Sequence, residues 1–283
     1  MHFYSVSLSS PFWVFLVFIF SLFPRPSISA LESFIYVGCS PLKYSPGTPY
    51  ESNVNSVLSS IVNSASISNY NNFKISLPGS TSNDVVYGLF QCRGDLSNSD
   101  CHECVSNAVT RLGTSCVGAT GGALQLDGCF VRYDNTSFLG DEDKTVVSSK
   151  CGPPIADDPD LFTRRDAVLG FLGAGGQYFR VGGSGKVQGL AQCVQDLSAS
   201  ECQDCLSEAI QRLKLECGSS PWGDMFLGKC YARYSERGYS SKSDNDDDVE
   251  RTLAIFIGLI AGVAILIVFL SFLSKVFDHK DGK

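Results

Sequence analysis

The sequence predicts an α+β protein of two tandem disulfide-stapled domains followed by one transmembrane helix. Three observations carry this reading: 12 cysteines in 283 residues, a five-cysteine spacing that recurs after 101 residues, and an apolar run near each end. The composition also excludes. A formal charge of −7 opposes nucleic-acid binding, which needs a basic face for phosphate. His2, His102 and His279 fall in three different segments, so they cannot assemble one catalytic or zinc site. No catalytic residue, metal ligand or cofactor motif stands out, and the chain is read as a non-enzyme.

Residues 12–23 (FWVFLVFIFSLF) form the first apolar run, too short to span comfortably and followed by Pro24, Pro26 and the small residues Ser27, Ser29 and Ala30. This is the layout of a secretory signal peptide over 1–30, cleaved after Ser29 or Ala30, although no Lys or Arg precedes the run. An uncleaved anchor is the rival.

Between the ends, cysteines 92, 101, 104, 116 and 129 recur at 193, 202, 205, 217 and 230. Gln91/Gln192, Asp95/Asp196, Leu96/Leu197, Ala108/Ala209, Arg111/Arg212, Leu112/Leu213, Arg132/Arg233 and Tyr133/Tyr234 share the offset. A sixth cysteine, Cys39 or Cys151, precedes each set at a different distance. The expected domains are 31–137 and 151–238, joined by a linker over 138–150. An even cysteine count per copy, in a secreted chain, reads as three bridges each, with connectivity left open by spacing alone.

Within the first copy, 33–37 and 84–92 read as strands and 72–77 as extended. Val54, Val57, Leu58, Ile61 and Val62 place a helix over 50–65. Residues 95–100 cap a second helix over 101–112, where Cys104, Ala108 and Leu112 share a face; strands over 123–126 and 129–133 follow. Residues 166–172, 187–193, 202–213 and 230–234 repeat these parts, and the glycines between 170 and 189 predict turns rather than a long helix.

Each copy carries a CxxC, Cys101–Cys104 and Cys202–Cys205, a spacing used by zinc and thiol-redox sites; here six-cysteine sets in an oxidising compartment favour structural bridges. His102 is Gln203 in the other copy and reads as a surface residue. Asn135-Thr-Ser is the one N-x-S/T sequon, an expected glycosylation site. The acidic stretch 244–250 lacks the spaced ligands of a calcium loop and reads as part of a solvated juxtamembrane linker, 239–252.

Residues 253–273 hold no charge and are long enough to cross a bilayer. Lys275, Lys280 and Lys283 in the tail 274–283 place that side in the cytoplasm, giving a single-pass type I topology. The lysine-bearing tail argues against the rival reading of a GPI signal. Ala254, Gly258 and Gly262 form a small-residue row along which a second helix could pack, so lateral association with like or unlike membrane proteins is expected.

The tandem C-x8-C-x2-C core resembles the plant ginkbilobin-type cysteine-rich repeat, also called the salt-stress-response/antifungal domain. Two such repeats with one transmembrane helix and a very short tail look like the plasmodesmata-located proteins of land plants. Receptor-like kinases sharing this ectodomain continue into a kinase. The resemblance implies, per copy, two helices packed on a five-stranded antiparallel sheet. It implies the bridges Cys39–Cys116, Cys92–Cys101, Cys104–Cys129, Cys151–Cys217, Cys193–Cys202 and Cys205–Cys230. It further implies an apoplastic ectodomain in plasmodesmal plasma membrane, control of cell-to-cell movement through callose, and docking of viral movement proteins, receptor kinases or a cell-wall glycan. The family's targeting by its transmembrane region would map onto 253–273.

The antifungal member of that family binds mannose through an Asn after the first cysteine, an Arg before the last, and an acidic residue five positions beyond it. Here Ser40 and Gly152 follow the first cysteines, no Arg precedes Cys129 or Cys230 in its loop, and Asp134 is matched by Ser235. A lectin-like or antifungal protein is the alternative function.

Overall fold

The computed structural model describes residues 30–155 and 158–237. The leader, the apolar run 253–273 with Ala254, Gly258 and Gly262, and the tail 274–283 lie outside them. Among the described residues no helix is long and apolar enough to cross a membrane.

The first domain runs β1 (Phe34–Cys39), α1 (Pro49–Ala65), β2 (Tyr70–Ile75), β3 (Val86–Cys92), α2 (Asn98–Ser115), β4 (Gly122–Leu126) and β5 (Cys129–Asp134). The second repeats it as β6 (Val146–Cys151), α3 (Pro159–Gly173), β7 (Phe179–Ser184), β8 (Val187–Cys193), α4 (Ala199–Glu216), β9 (Trp222–Leu227) and β10 (Cys230–Glu236). Each domain holds one five-stranded antiparallel sheet, ordered β1-β4-β5-β3-β2 and β6-β9-β10-β8-β7.

Local chemistry sets the helix starts. Thr48 accepts from the Glu51 N–H ahead of Pro49, whose missing N–H costs nothing at a helix start. Ser97 and Ser198, 101 residues apart, cap α2 and α4, and Glu201 closes a full capping box. Helix α2 begins three residues before the expected 101, because the cap within 95–100 is Ser97.

Strand alternation gives each sheet two faces. Phe90, Cys92, Val131 and Tyr133 meet Val57, Ile61, Val105 and Leu112 in the first core. Val187, Ala191, Ala232 and Tyr234 meet Val168, Leu172, Leu206 and Leu213 in the second. At Gly88 an added Cβ would stand 2.3 Å from Val57; at its counterpart Gly189 it would stand 2.9 Å from the Arg233 carbonyl oxygen and 2.7 Å from Val168. Gly189→Ala is thus expected to lower unfolding free energy by about 1–3 kcal/mol, because backbone cannot yield as a side-chain tip can. Urea unfolding is the check, and an unchanged midpoint would refute the close approach.

The copies solve one packing problem in opposite ways. Phe73 on β2 pairs with Gly88 and packs on the first core; at the matching place on β7, Gly182 pairs with Gly189. The missing ring comes from helix α3, where Phe171 lies 2.7 Å from the ideal Gly182 Cβ. The first helix has Ser60 at that position, taking Val57 and Val168 as equivalent.

Two expectations need correcting. Residues 138–150 are not a free linker: β6 starts at Val146 and pairs with β9, and Phe138 is buried. The valines at 146 and 147 suit a strand and Gly152-Pro153-Pro154 marks its end, but Ser148, Ser149 and Lys150 break the apolar alternation. The glycine-rich stretch 170–189 does turn at Gly175 and Gly185, both at positive φ, yet it also contributes β7 as an edge strand beside β8.

Candidate functional site

Six bridges consume all twelve cysteines: Cys39–Cys116, Cys92–Cys101, Cys104–Cys129, Cys151–Cys217, Cys193–Cys202 and Cys205–Cys230. Each CxxC sends its two sulfurs to different strands. Cys101 and Cys202 reach back to the end of β3 or β8, and Cys104 and Cys205 reach the start of β5 or β10. The motif thus pins the helix across two neighbouring strands. His102 is spent locally, with Nδ1 3.0 Å from the Val62 carbonyl oxygen. Among the described residues no group of His, Cys, Asp and Glu is arranged to hold a metal.

The end of each domain that holds Ser40 or Gly152, the positions set against the mannose-binding Asn of the resembled repeat, differs between copies. In the first, the Ser40 and Thr120 hydroxyls lie 3.0 Å apart, and the Tyr50 and Tyr133 hydroxyls donate to the carbonyls of Thr120 and Ala119. Burial, with Tyr44 and Asp134 nearby, pushes the Tyr133 phenol up to about 12, so it stays a neutral donor. Asp134 accepts from both the N–H and hydroxyl of Thr136 at 3.1 and 3.0 Å, beside the exposed sequon residue Asn135. In the second copy Trp222 replaces Gly121, and its indole Nε1 lies 2.6 Å from where a Cβ on Gly152 would stand. A side chain such as that of Ser40 has no room there.

The most organised polar assembly is the seam between the domains. Two glutamines cross it reciprocally. The Gly94 N–H donates to Gln192 Oε1 at 3.2 Å, and the Gln195 N–H donates to Gln91 Oε1 at 3.1 Å. Both donors and both acceptors are 101 residues apart, so the two copies meet across a pseudo-twofold axis, as identical subunits do in a symmetric dimer. Gln192 also donates to the Cys92 carbonyl at 2.8 Å. Gly94 lets the Phe179 ring of the second domain approach to 2.5 Å of its ideal Cβ. A cavity of about 20 Å³, room for one water, lies among Gln91, Gln125, Gln192 and Tyr231.

Charge then departs from the symmetry. Asp127, in the β4–β5 turn, holds Arg93 at 2.6 Å and also Arg233 of the second domain. Asp224 grips the other edge of the Arg233 guanidinium at 2.8 and 3.1 Å. Burial alone would lower the Arg233 pKa, but Asp224 and Asp127 outweigh it and hold the cation above its ordinary value. Across the axis, Lys229 pairs with Asp196 and donates to the Phe138 carbonyl at 2.9 Å. Burial pulls the lysine pKa down, opposed by Asp196. Phe138 and Val194 fill the apolar part of the seam with Leu89 and Phe130.

Sequence patterning marked Gln91, Gln192, Arg132 and Arg233 as repeated without giving them a role. Asp127 and Lys229 carried no signal, since each belongs to one copy alone.

A family model described as salt stress response/antifungal matches residues 38–136 and 164–237. Plasmodesmata-located protein 6 of Arabidopsis thaliana is 56% identical over 283 aligned residues, covering 95% of this chain and 97% of that protein. The chain belongs to the plasmodesmata-located protein family. Two solved structures of Arabidopsis thaliana relatives show the same tandem fold. The tandem DUF26 ectodomain of the cysteine-rich receptor-like protein PDLP5 is 49% identical, with a TM-score of 0.68, covering 72% of this chain and all of that one. The ectodomain of PDLP8 is 43% identical, with a TM-score of 0.69, covering 73% and 99%. The chain thus shares with PDLP5 and PDLP8 a tandem pair of cysteine-rich domains.

Proposed function

We infer that the chain is a non-enzymatic, single-pass type I membrane protein of plasmodesmata that regulates cell-to-cell trafficking through callose-linked closure of the channel. One observation carries this reading. Identity of 56% to a relative named for that location extends over 95% of the chain, a longer span than the tandem domains alone occupy. In this reading the ectodomain lies in the apoplast, rigidified by six bridges and the interdomain seam, and carries an N-glycan on Asn135. It offers a fixed surface to a wall glycan, a receptor kinase or another membrane protein. The row Ala254, Gly258, Gly262 supports packing against a second transmembrane helix, and the same surfaces would admit viral movement proteins.

A C-terminal fluorescent fusion, imaged with callose staining, tests this directly. Punctate wall fluorescence coincident with callose is expected, with raised expression increasing callose and slowing spread of a cytosolic tracer. Diffuse plasma-membrane fluorescence would refute the location, and puncta without change in callose or tracer movement would refute the regulatory role.

A further inference from the structure

Among the described residues the two sheets offer four edge strands, β1 and β2 in the first domain and β6 and β7 in the second. An open edge presents unpaired N–H and C=O groups and invites another strand unless something blunts it. Three of the four are blunted. The register slips between Phe34 and Tyr36 on β1 and between Val146 and Ser148 on β6. Strand β2 exposes Asn71, Asn72 and Lys74. Strand β7 has no slip, and its one charged residue, Arg180, turns inward to donate to the Leu172 and Gln177 carbonyls at 2.6 and 3.0 Å. Apolar groups flank this edge instead. Val181 is 59% exposed on one face, and Phe171 of α3, over Gly182 on the other, is 58% exposed.

The hairpin fixes which backbone groups are free. Gly185 and Lys186 form a two-residue loop joining Ser184 to Val187, and the residues closing such a loop exchange both their hydrogen bonds. Bonded pairs then fall on every second residue, and the Cys193 N–H donating to the Tyr178 carbonyl at 2.9 Å keeps that parity. Phe179, Val181 and Gly183 therefore turn their N–H and C=O groups to the open edge. A second β7, running antiparallel, suits this row in one register, with Val181 opposite itself and Phe179 opposite Gly183. All the free residues are then bonded through both their groups, whereas a partner shifted by two residues leaves one of them out. Size matches too: the Phe179 ring, already seated on Gly94, faces a residue without a side chain, and Arg180 stands opposite Gly182. Charge agrees with this register. The hairpin tip gathers Arg164, Lys186 and Arg237 with only Asp160 and Glu236. It arrives beside the Gly94 turn of the other copy, where Asp95, Asp127 and Asp224 outnumber Arg93 and Arg233.

We propose that two copies of this chain join β7 to β7 about a twofold axis through Val181, fusing their second-domain sheets into one. Helix α3 lies over β7 and β8, so the two α3 helices come to stand two strand spacings, roughly 10 Å, apart. That is a packing distance for helices, and it covers both Phe171 rings. The paired strands supply about five residues a side, well under the roughly 20–30 of a stable interface. Free molecules therefore pair weakly, and copies held close in one bilayer pair well. Only this last step rests on the membrane reading above.

The test places the photoreactive amino acid benzoylphenylalanine at Gln188, which is exposed and pairs with Gly183, in the full chain. Heavy-isotope and light copies are mixed, in lipid vesicles and in concentrated detergent solution, and adducts are mapped by mass spectrometry. Heavy–light adducts from position 188 to the peptide holding Phe179 or Gly94 are expected. Gly183→Pro should reduce their yield several-fold, because it removes an edge N–H while a Cβ there meets nothing nearer than 3.5 Å within the domain. Val181→Lys should do the same by setting like charges on the axis, and Val181→Ile should preserve the yield. Adducts confined to one copy, to lipid or to other segments of the second copy would overturn the pairing. So would no adduct in either medium, or a yield indifferent to both Gly183→Pro and Val181→Lys. Adducts in detergent but not in vesicles would support the pairing and refute the shared bilayer. Peptide mapping without reduction verifies that the variants keep all six bridges.

Discussion

Replacing Lys229 with alanine is expected to cost the tandem ectodomain about 3–5 kcal/mol of unfolding free energy, the loss associated with stranding one member of a buried ion pair. The lysine side chain is 0% exposed and the Asp196 side chain 3%. Among the described residues one Asp196 oxygen, Oδ1, has no hydrogen-bond partner, and the other is shared between Lys229 and the Gly140 N–H. Without the ammonium group the carboxylate keeps a single donor in a site closed to water. The same substitution frees the Phe138 carbonyl and so loosens the seam as well as the turn. Guanidinium unfolding followed by Trp222 emission measures the loss. The double variant Lys229→Met with Asp196→Leu should recover most of it, because an apolar pair avoids the desolvation that the ion pair must offset. A Lys229→Ala midpoint within error of the parent would show that the pair contributes nothing.

The second large effect concerns the bridges, where chain entropy predicts a ranking. Cys39–Cys116 spans 77 residues, Cys104–Cys129 spans 25 and Cys92–Cys101 spans 9. Loop-closure entropy then assigns them about 4.5, 3.5 and 2.6 kcal/mol of stabilisation. Paired Cys→Ala variants should lose stability in that order by denaturant unfolding. The order runs against burial, since Cys92 and Cys101 are fully buried while Cys39 is exposed on an edge strand. If the short buried bridge proves the costliest to remove, local packing rather than restriction of the unfolded chain controls stability.

Much of the architecture could be read before any coordinates because duplication amplifies weak signals. One CxxC is ambiguous between metal, redox and bridge. Two of them, 101 residues apart with every neighbouring interval matched, describe a scaffold. The helices were legible from Val54, Val57 and Ile61 and from Cys104, Ala108 and Leu112, whose spacing survives in the buried faces of α1 and α2. What escaped were elements in which one copy abandons the pattern. Strand β7 draws its ring from α3, so its own sequence is glycine-rich and reads as turn. Strand β6 is short and half polar. The seam was hidden for a different reason: its glutamines pair across copies, and no local period records which face of one domain meets the other. Asp127 and Lys229 matter because the pseudo-twofold is broken at them, and comparing the copies discards such positions.

The exchange of Phe73 and Ser60 for Gly182 and Phe171 also bears on how the two halves of the gene can change. Recombination between the repeats, with a crossover falling between first helix and second strand, would join Phe171 to Phe73 or Ser60 to Gly182. The first hybrid forces two rings into a space built for one, and the second leaves a hole over a glycine. Neither parent half carries the remedy. An exchange between the repeats that breaks within this stretch would separate the two substitutions, so helix and strand of each copy can change there only together.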